Sequence, residues 1–189
     1  AQIPIIERYL SILGVLSLKK KGFEADDLLG TLATKSSKYA EVTIVTGDLD
    51  SLQLVNDKVR VLFFVKGLSE TKRYDINMVN ERFGFGPETL VDYKALRGDP
   101  SDNIPGVKGI GEKTATELLQ KYGSLAGIYR ALKEGNVEKD FRALVAEKLL
   151  LGKDIAQLCR KLAEIVTDVP IDFTINDAIV KAPNEDELL

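Results

Sequence analysis

The stretch RGDPSDNIPGVKGIGEKTA, Arg97 to Ala115, sets carboxylate and amide side chains among closely spaced glycines, which is too polar and too glycine-rich for a core segment. Its first half, GDPSDN, offers oxygen ligands; its second, GVKGIG, offers bare backbone amides. The second half also approaches a phosphate-binding loop, which needs G-x-x-x-x-G-K-[ST] with the lysine directly after the last glycine. Gly106 and Gly111 have that spacing, but Glu112 stands in the lysine position and Lys113 follows one residue late. Pro100 and Pro105 lie ahead of it, where such a loop would have a buried strand. A nucleoside-triphosphate loop does not fit.

The chain around this stretch has 189 residues, 44% hydrophobic and 29% charged, enough for one sizeable core or two small ones. Nothing approaches a run of about 18 apolar residues, so no membrane span is expected. The start, AQIPIIERYL, lacks the basic-then-apolar order of a signal peptide. Cys159 is the only cysteine, which excludes an internal disulfide and suits the cytosol. Histidine is absent, which removes serine–histidine and cysteine–histidine nucleophiles and histidine-bearing zinc sites together. Hydrolytic chemistry must then rest on carboxylates, lysines or oxygen-ligated metals. A net charge of −3 argues against a uniformly basic coat, while leaving room for a local basic face that binds phosphates.

Apolar residues at Ile5, Ile6, Leu10, Leu13 and Leu16 predict a helix over Pro4–Leu18, weakened or ended near Gly14. Ala25–Lys38 reads as a second helix with an acidic start. The β-branched run Val42–Thr46 predicts a buried strand, and VRVLFFV a second one. This order points to an α/β layer with a largely parallel sheet, whose ligands gather at the carboxyl ends of strands. From about Pro87 the pattern becomes helical, at Glu88–Leu96, Glu112–Tyr122, Leu125–Leu132, Phe141–Leu150 and Asp154–Ile165. A boundary near residue 86 is expected, with residues 1–86 α/β and 87–189 all-helical. The tail KAPNEDELL reads as a linker or as the start of a further segment.

Three segments carry close carboxylates: Glu24, Asp26 and Asp27 at a helix start, Asp48 and Asp50 after a strand, and Asp99 and Asp102 in the glycine-flanked loop. Each alone is explained by a helix dipole or a turn. Together, at positions that an α/β sheet can gather at one edge, they would repel one another unless cations sat among them, and all-oxygen sites select magnesium or manganese. Two such ions roughly 3.5 to 4 Å apart form an arrangement that hydrolyses phosphodiesters. GVKGIG followed by a helix then supplies a sequence-independent grip on a phosphate backbone, with Lys108 and Lys113 as counter-charge.

The blocks GFEADDLLGTLA, VTGDLDSLQLV and LVDYKALRGDPSDNIPGVKGIGEKTATELLQKYGSL, and more loosely EKLLLGKDIAQLCRKLAEIVTDVPID, resemble the 5′ nuclease domain found at the N-terminus of bacterial DNA polymerase I, related to flap endonucleases and phage 5′ exonucleases. They occur in family order over nearly the whole chain. The resemblance implies an α/β, PIN-like (resolvase-like) parallel-sheet domain followed by an all-helical domain with a helix-three-turn-helix (helix-hairpin-helix) motif.

Carried over by the resemblance, Glu24, Asp26 and Asp27 contribute to a first metal site and Asp48, Asp50, Asp99 and Asp102 to a second, together binding two Mg2+ or Mn2+. Gly106, Val107, Lys108, Gly109, Ile110, Gly111, Lys113 and Thr114 resemble the DNA-gripping hairpin, with K+ held by the main-chain carbonyls of Val107 and Ile110. The implied activity is 5′-3′ exonuclease or 5′-flap endonuclease action on duplex DNA in replication and repair. A monomer in the bacterial cytosol, continued by a polymerase region and away from membranes, is expected.

One departure matters. Family members begin with a strand ending in a metal-binding aspartate, a further aspartate and a basic helical arch, whereas AQIPIIERYL matches the helix just before the EADD block. The chain is therefore expected to lack that N-terminal part and to cleave slowly by itself; the alternative is a catalytically incomplete duplex-binding module. Leu49, where relatives often have lysine, leaves its neighbours intact.

Overall fold

Amphipathic spacing builds α1 (Ile3–Ile12), and Gly14, at φ 69°, takes the left-handed conformation that ends it. The helix therefore ends near Gly14, as expected there, and does not run on to Leu18. The structure, a computed structural model, describes residues 2–67 and 69–188. The chain divides into two compact units, Ala1–Val42 with Val166–Leu189, and Thr43–Ile165.

In the first unit, α2 (Ala25–Ser36) opens on a capping box in which Asp27 Oδ2 accepts from the Glu24 amide at 3.2 Å. Its buried face holds Leu28, Thr31 and Ala33. The same helix pins the returning segment after residue 165 through side chains. Asp27 Oδ1 accepts from Val166 N at 2.9 Å, Thr31 Oγ1 from Val169 N at 3.0 Å, and Lys35 Nζ donates to Ile171 O at 2.8 Å. Val169 is buried as a result. The tail ends in a helical turn, Glu185–Leu188, just after Asn184, whose amide donates to Ile12 O at 2.8 Å and satisfies the end of α1. The tail thus belongs to this unit's packing, where a linker or the start of a further segment was expected.

The second unit holds nearly all of β1 (Val42–Thr46), then β2 (Val59–Lys66) and β3 (Glu70–Tyr74), in the order β1-β2-β3. β2 and β3 form an antiparallel pair with Val61 opposite Tyr74. The largely parallel sheet expected from the sequence is corrected at this edge. β3 escaped the pattern because ETKRY buries only Tyr74, leaving no apolar run to read. α3 (Ile76–Phe83), capped by Asp75 Oδ1 accepting from Met78 N at 2.9 Å, was likewise not foreseen.

The helical part comprises α4 (Leu90–Arg97), α5 (Glu112–Tyr122), α6 (Leu125–Lys133), α7 (Asn136–Asp140), α8 (Ala143–Leu151) and α9 (Lys153–Ala163). α4 lies at its centre, packed on α5 and α9, with Leu90, Val91, Tyr93, Ala95 and Leu96 buried. Asp92 is buried on it too. Its Oδ2 accepts from Leu125 N at 2.7 Å and its Oδ1 from Arg160 Nε at 2.8 Å, so one carboxylate ties α4 to the start of α6 and to α9. Removing it strands a buried amide and half of an ion pair, softened by the exposed part of Arg160. Asp92→Ala is expected to lower stability by about 2 kcal/mol in a thermal or denaturant melt, and an unchanged melt would mean that the three helices are held otherwise.

Candidate metal centre and nucleic-acid interface

β1 ends at Thr46, and the chain turns at once into a 3₁₀ segment, Leu49–Leu54. Asp48 caps that segment, its Oδ1 accepting from Asp50 N at 2.9 Å. Both aspartates lie beyond the strand, so the alternation of β1 does not set the directions of their side chains. Gln53 fixes the turn: its Nε2 donates to Ala163 O at 3.0 Å and its Oε1 accepts from Ile165 N at 2.9 Å. The turn that carries Asp50 is thereby tied to the end of α9.

The loop after α4 is closed by backbone. Asp99 N donates to Ile104 O and Ile104 N to Asp99 O, both at 2.8 Å. Between them a 3₁₀ turn, Pro100–Asp102, is capped by Asp99 Oδ1, which accepts from Ser101 N at 3.0 Å. Gly98 and Gly106 press against each other at the neck. At Gly106, φ is 64° and a Cβ would lie 2.3 Å from Gly98 N; at Gly98, φ is 83° and a Cβ would lie 2.7 Å from Ile104 O. The loop therefore needs both glycines for closure, a role the sequence reading did not give Gly106.

This closure brings Asp50, Asp99 and Asp102 together, with one carboxylate oxygen from each within 4.8 Å of the others. Lys94 reaches into the group from α4, in direct ion pairs with Asp50 and Asp99 and at 3.9 Å from Asp102. Burial pushes the Asp50 carboxyl up to about 6, against the pull of Lys94 and with help from the charges of Asp48 and Asp102. Burial also opposes ionisation of Asp99, but hydrogen bonds from Lys94 and Ser101 win and hold it below its usual value. For Lys94, burial favours the neutral amine, and the two aspartates outweigh it, holding the ammonium above its usual value. Sequence reasoning missed Lys94 because no motif singles out a lysine inside an amphipathic helix. The donors are all hard carboxylate oxygens, a set that fits magnesium or manganese.

The group opens on a cleft of about 470 Å³ lined also by Asp48, Arg82, Tyr93, Arg97 and Glu112. Arg97 lies over the Tyr93 ring at 5.7 Å and Arg82 over Phe83 at 5.3 Å, so cations and aromatics share one wall. Glu24, Asp26 and Asp27 lie at the start of α2 in the other compact unit.

The hairpin continues from the neck. Val107 and Ile110 are buried anchors; Val107 N donates to Leu96 O at 2.8 Å and Ile110 N to Val107 O at 2.9 Å. Gly109, at φ 80°, offers its carbonyl to Lys148 Nζ at 3.0 Å. Gly111 differs from the others: its φ is −95°, nothing lies within 4 Å of where a Cβ would stand, and it opens α5 without a side-chain cap. The first amides of α5, at Glu112, Lys113 and Thr114, therefore have no partner within their own helix. Lys108 and Lys113 are exposed beside them.

Two family models cover nearly the whole chain: "5′-3′ exonuclease, N-terminal resolvase-like domain" over residues 1–84 and "5′-3′ exonuclease, C-terminal SAM fold" over residues 85–186. The chain belongs to the 5′-3′ exonuclease family. It is 38% identical over 190 residues to DNA polymerase I of Lactococcus lactis subsp. lactis (strain IL1403), covering 99% of this chain and 21% of that protein. It is 44% identical over 174 residues to DNA polymerase I of Mycobacterium tuberculosis (strain ATCC 25618 / H37Rv), covering 92% and 19%. The chain thus spans about a fifth of the length of these relatives. Its fold is similar to a T5 5′-exonuclease structure with bound zinc, at TM-score 0.67 and 23% identity over 79% of this chain and 53% of that one. It is also similar to the catalytic core of Rad2 in complex with a DNA substrate, at 0.65 and 19% over 98% and 61%. No helix among the described residues is long and apolar enough to cross a membrane.

The glycines separate by experiment. Gly106→Ala is expected to cost about 2 kcal/mol or more, from left-handed strain and the clash with Gly98, whereas Gly111→Ala should stay within about 1 kcal/mol, the cost of a poorer cap. Equal losses in denaturant melts would contradict the assignment of the Gly98–Gly106 neck as the clasp of the loop.

Proposed function

We propose that this chain carries the nuclease function of a DNA polymerase I-like protein, hydrolysing DNA phosphodiesters at a 5′ end or 5′ flap in replication and repair, in a bacterial cytosol. The observation that carries this reading is the joining, in one segment, of a closed carboxylate loop to a hairpin that ends on an uncapped helix. Asp50, Asp99 and Asp102 would hold one Mg2+ or Mn2+, with Asp48 beside them acting through water. Glu24, Asp26 and Asp27 are proposed for a first ion on the strength of the resemblance. Divalent cations held there supply Lewis-acid stabilisation of the charge that develops on the scissile phosphate.

The chain's own groups do the positioning. The amides at the start of α5, with Lys108 and Lys113, suit a phosphate of duplex DNA, and the open space at Gly111 lets the strand approach the backbone. Gly106, Val107, Gly109 and Ile110 shape that hairpin, with the carbonyls of Val107 and Ile110 proposed as K+ ligands. Such a grip is blind to sequence and weakened by salt. Residues 1–86 are read as the resolvase-like part and 87–189 as the helical DNA-binding part, supported by family models that meet between residues 84 and 85. A monomer is proposed.

Three measurements test this reading. Millimolar Mn2+ should raise the melting temperature by mass action, and Asp99→Ala should remove most of the rise; a melt indifferent to Mn2+ would contradict the centre. With the full gene product and a labelled 5′-flap duplex, cleavage should require Mg2+ or Mn2+. It should fall at least about a hundredfold, the scale of losing one charge-stabilising group, in Asp99→Asn while DNA binding persists. Gly111→Ala should weaken duplex binding equally for all sequences, and strong preference for one base sequence would sink the proposed grip.

A further inference from the structure

Lys94 is an unusual neighbour for a divalent-cation site. It leaves α4 one turn before the clasp, its side chain is 14% exposed, and its Nζ touches Asp50 and lies 2.7 Å from Asp99. Asp102 stands 3.9 Å away on the third side. Nζ thus lies against an oxygen of each of three aspartates that offer carboxylate oxygens within 4.8 Å of one another, and the ammonium takes up space beside those oxygens. A divalent ion coordinated by the same oxygens would need that space, and two cations a few ångströms apart in a half-buried site repel strongly.

We propose that the Lys94 ammonium is a resident counter-cation of this centre, which holds Asp50, Asp99 and Asp102 together in the metal-free protein and has to withdraw for a divalent ion to enter. The proposal rests on reading the centre as a divalent-cation site. It makes Lys94 a positioning residue with two opposed effects. The ammonium relieves repulsion among three carboxylates that the closed loop and the Gln53-anchored turn force together. It also competes with the metal, so the site is assembled in advance and its affinity is held down. A lysine that merely braced the carboxylates from the side would have the opposite consequence, because removing it would let them spread and weaken metal binding.

The test is Mn2+ binding by calorimetry at fixed pH, with the parent protein, Lys94→Met and Asp99→Asn. Lys94→Met is expected to bind Mn2+ about tenfold more tightly or better, since it loses a cation adjacent to the metal. It should melt lower than the parent without metal and converge with it at saturating Mn2+. Unchanged or weaker binding overturns the proposal while leaving the metal centre standing, provided that Asp99→Asn loses the ion. Binding that Asp99→Asn does not reduce overturns both. A second readout needs no folded Lys94→Met. In the 15N-labelled parent, the Lys94 Nζ resonance, assigned with Lys94→Arg, should show slowly exchanging protons without metal and lose that protection as Mg2+ saturates the site. Protection unchanged at saturating Mg2+ also overturns the proposal.

Discussion

The ion pairs between Lys94 and the aspartates around it are the constraint on which the second compact unit depends. Three carboxylates held within a few ångströms carry more negative charge than a half-buried site tolerates without a cation. The rest of the unit can be understood as the frame that imposes this crowding. Asp92 fixes α4, and so the root of Lys94, by tying it to α6 and α9. Gln53 holds the turn that carries Asp50 against the end of α9. The Gly98–Gly106 neck closes the loop that carries Asp99 and Asp102.

The same neck starts the hairpin. Val107 is bonded to the last turn of α4 by its amide, and Gly152, at the junction of α8 and α9, leaves room for its side chain, where a Cβ would lie 2.6 Å from Val107 Cγ1. The acidic loop and the uncapped start of α5 are therefore joined through a short, buried, glycine-closed segment with little freedom. A phosphate backbone gripped at α5 and a cation held at Asp99 would keep a fixed separation, which is what positioning a scissile bond requires. On the proposed reading, the stretch from Arg97 to Ala115 would do two jobs because one short, glycine-closed turn joins both.

Much of this was legible from residues alone. Val42–Thr46 is a strand and Glu112–Tyr122 a helix at the bounds their sequences predict, because a β-branched run and a glycine-flanked amphipathic run are strong local signals. The edge strand β3 was not, since its polar residues face solvent and only its pairing with β2 makes it a strand. At the centre, Asp48, Asp50, Asp99 and Asp102 could be named, but not that Asp48 Oδ1 would also cap the turn that follows, because that depends on where β1 stops. Lys94 and Gly106 were hidden for another reason: their roles arise from the 2.7 Å ion pair of Lys94 with Asp99 and from a backbone approach so close that a Cβ on Gly106 would lie 2.3 Å from Gly98 N, and both need the chain to have closed.

The central claim is that Asp50, Asp99 and Asp102 form a centre for a hard divalent cation. Diffraction from crystals of the protein grown with Mn2+, collected at the manganese absorption edge, tests it most directly. The account predicts an anomalous peak within coordination distance of these three carboxylates, with the Lys94 ammonium displaced from between them. A well-ordered site with no such peak, and Lys94 still seated among the aspartates, would contradict it.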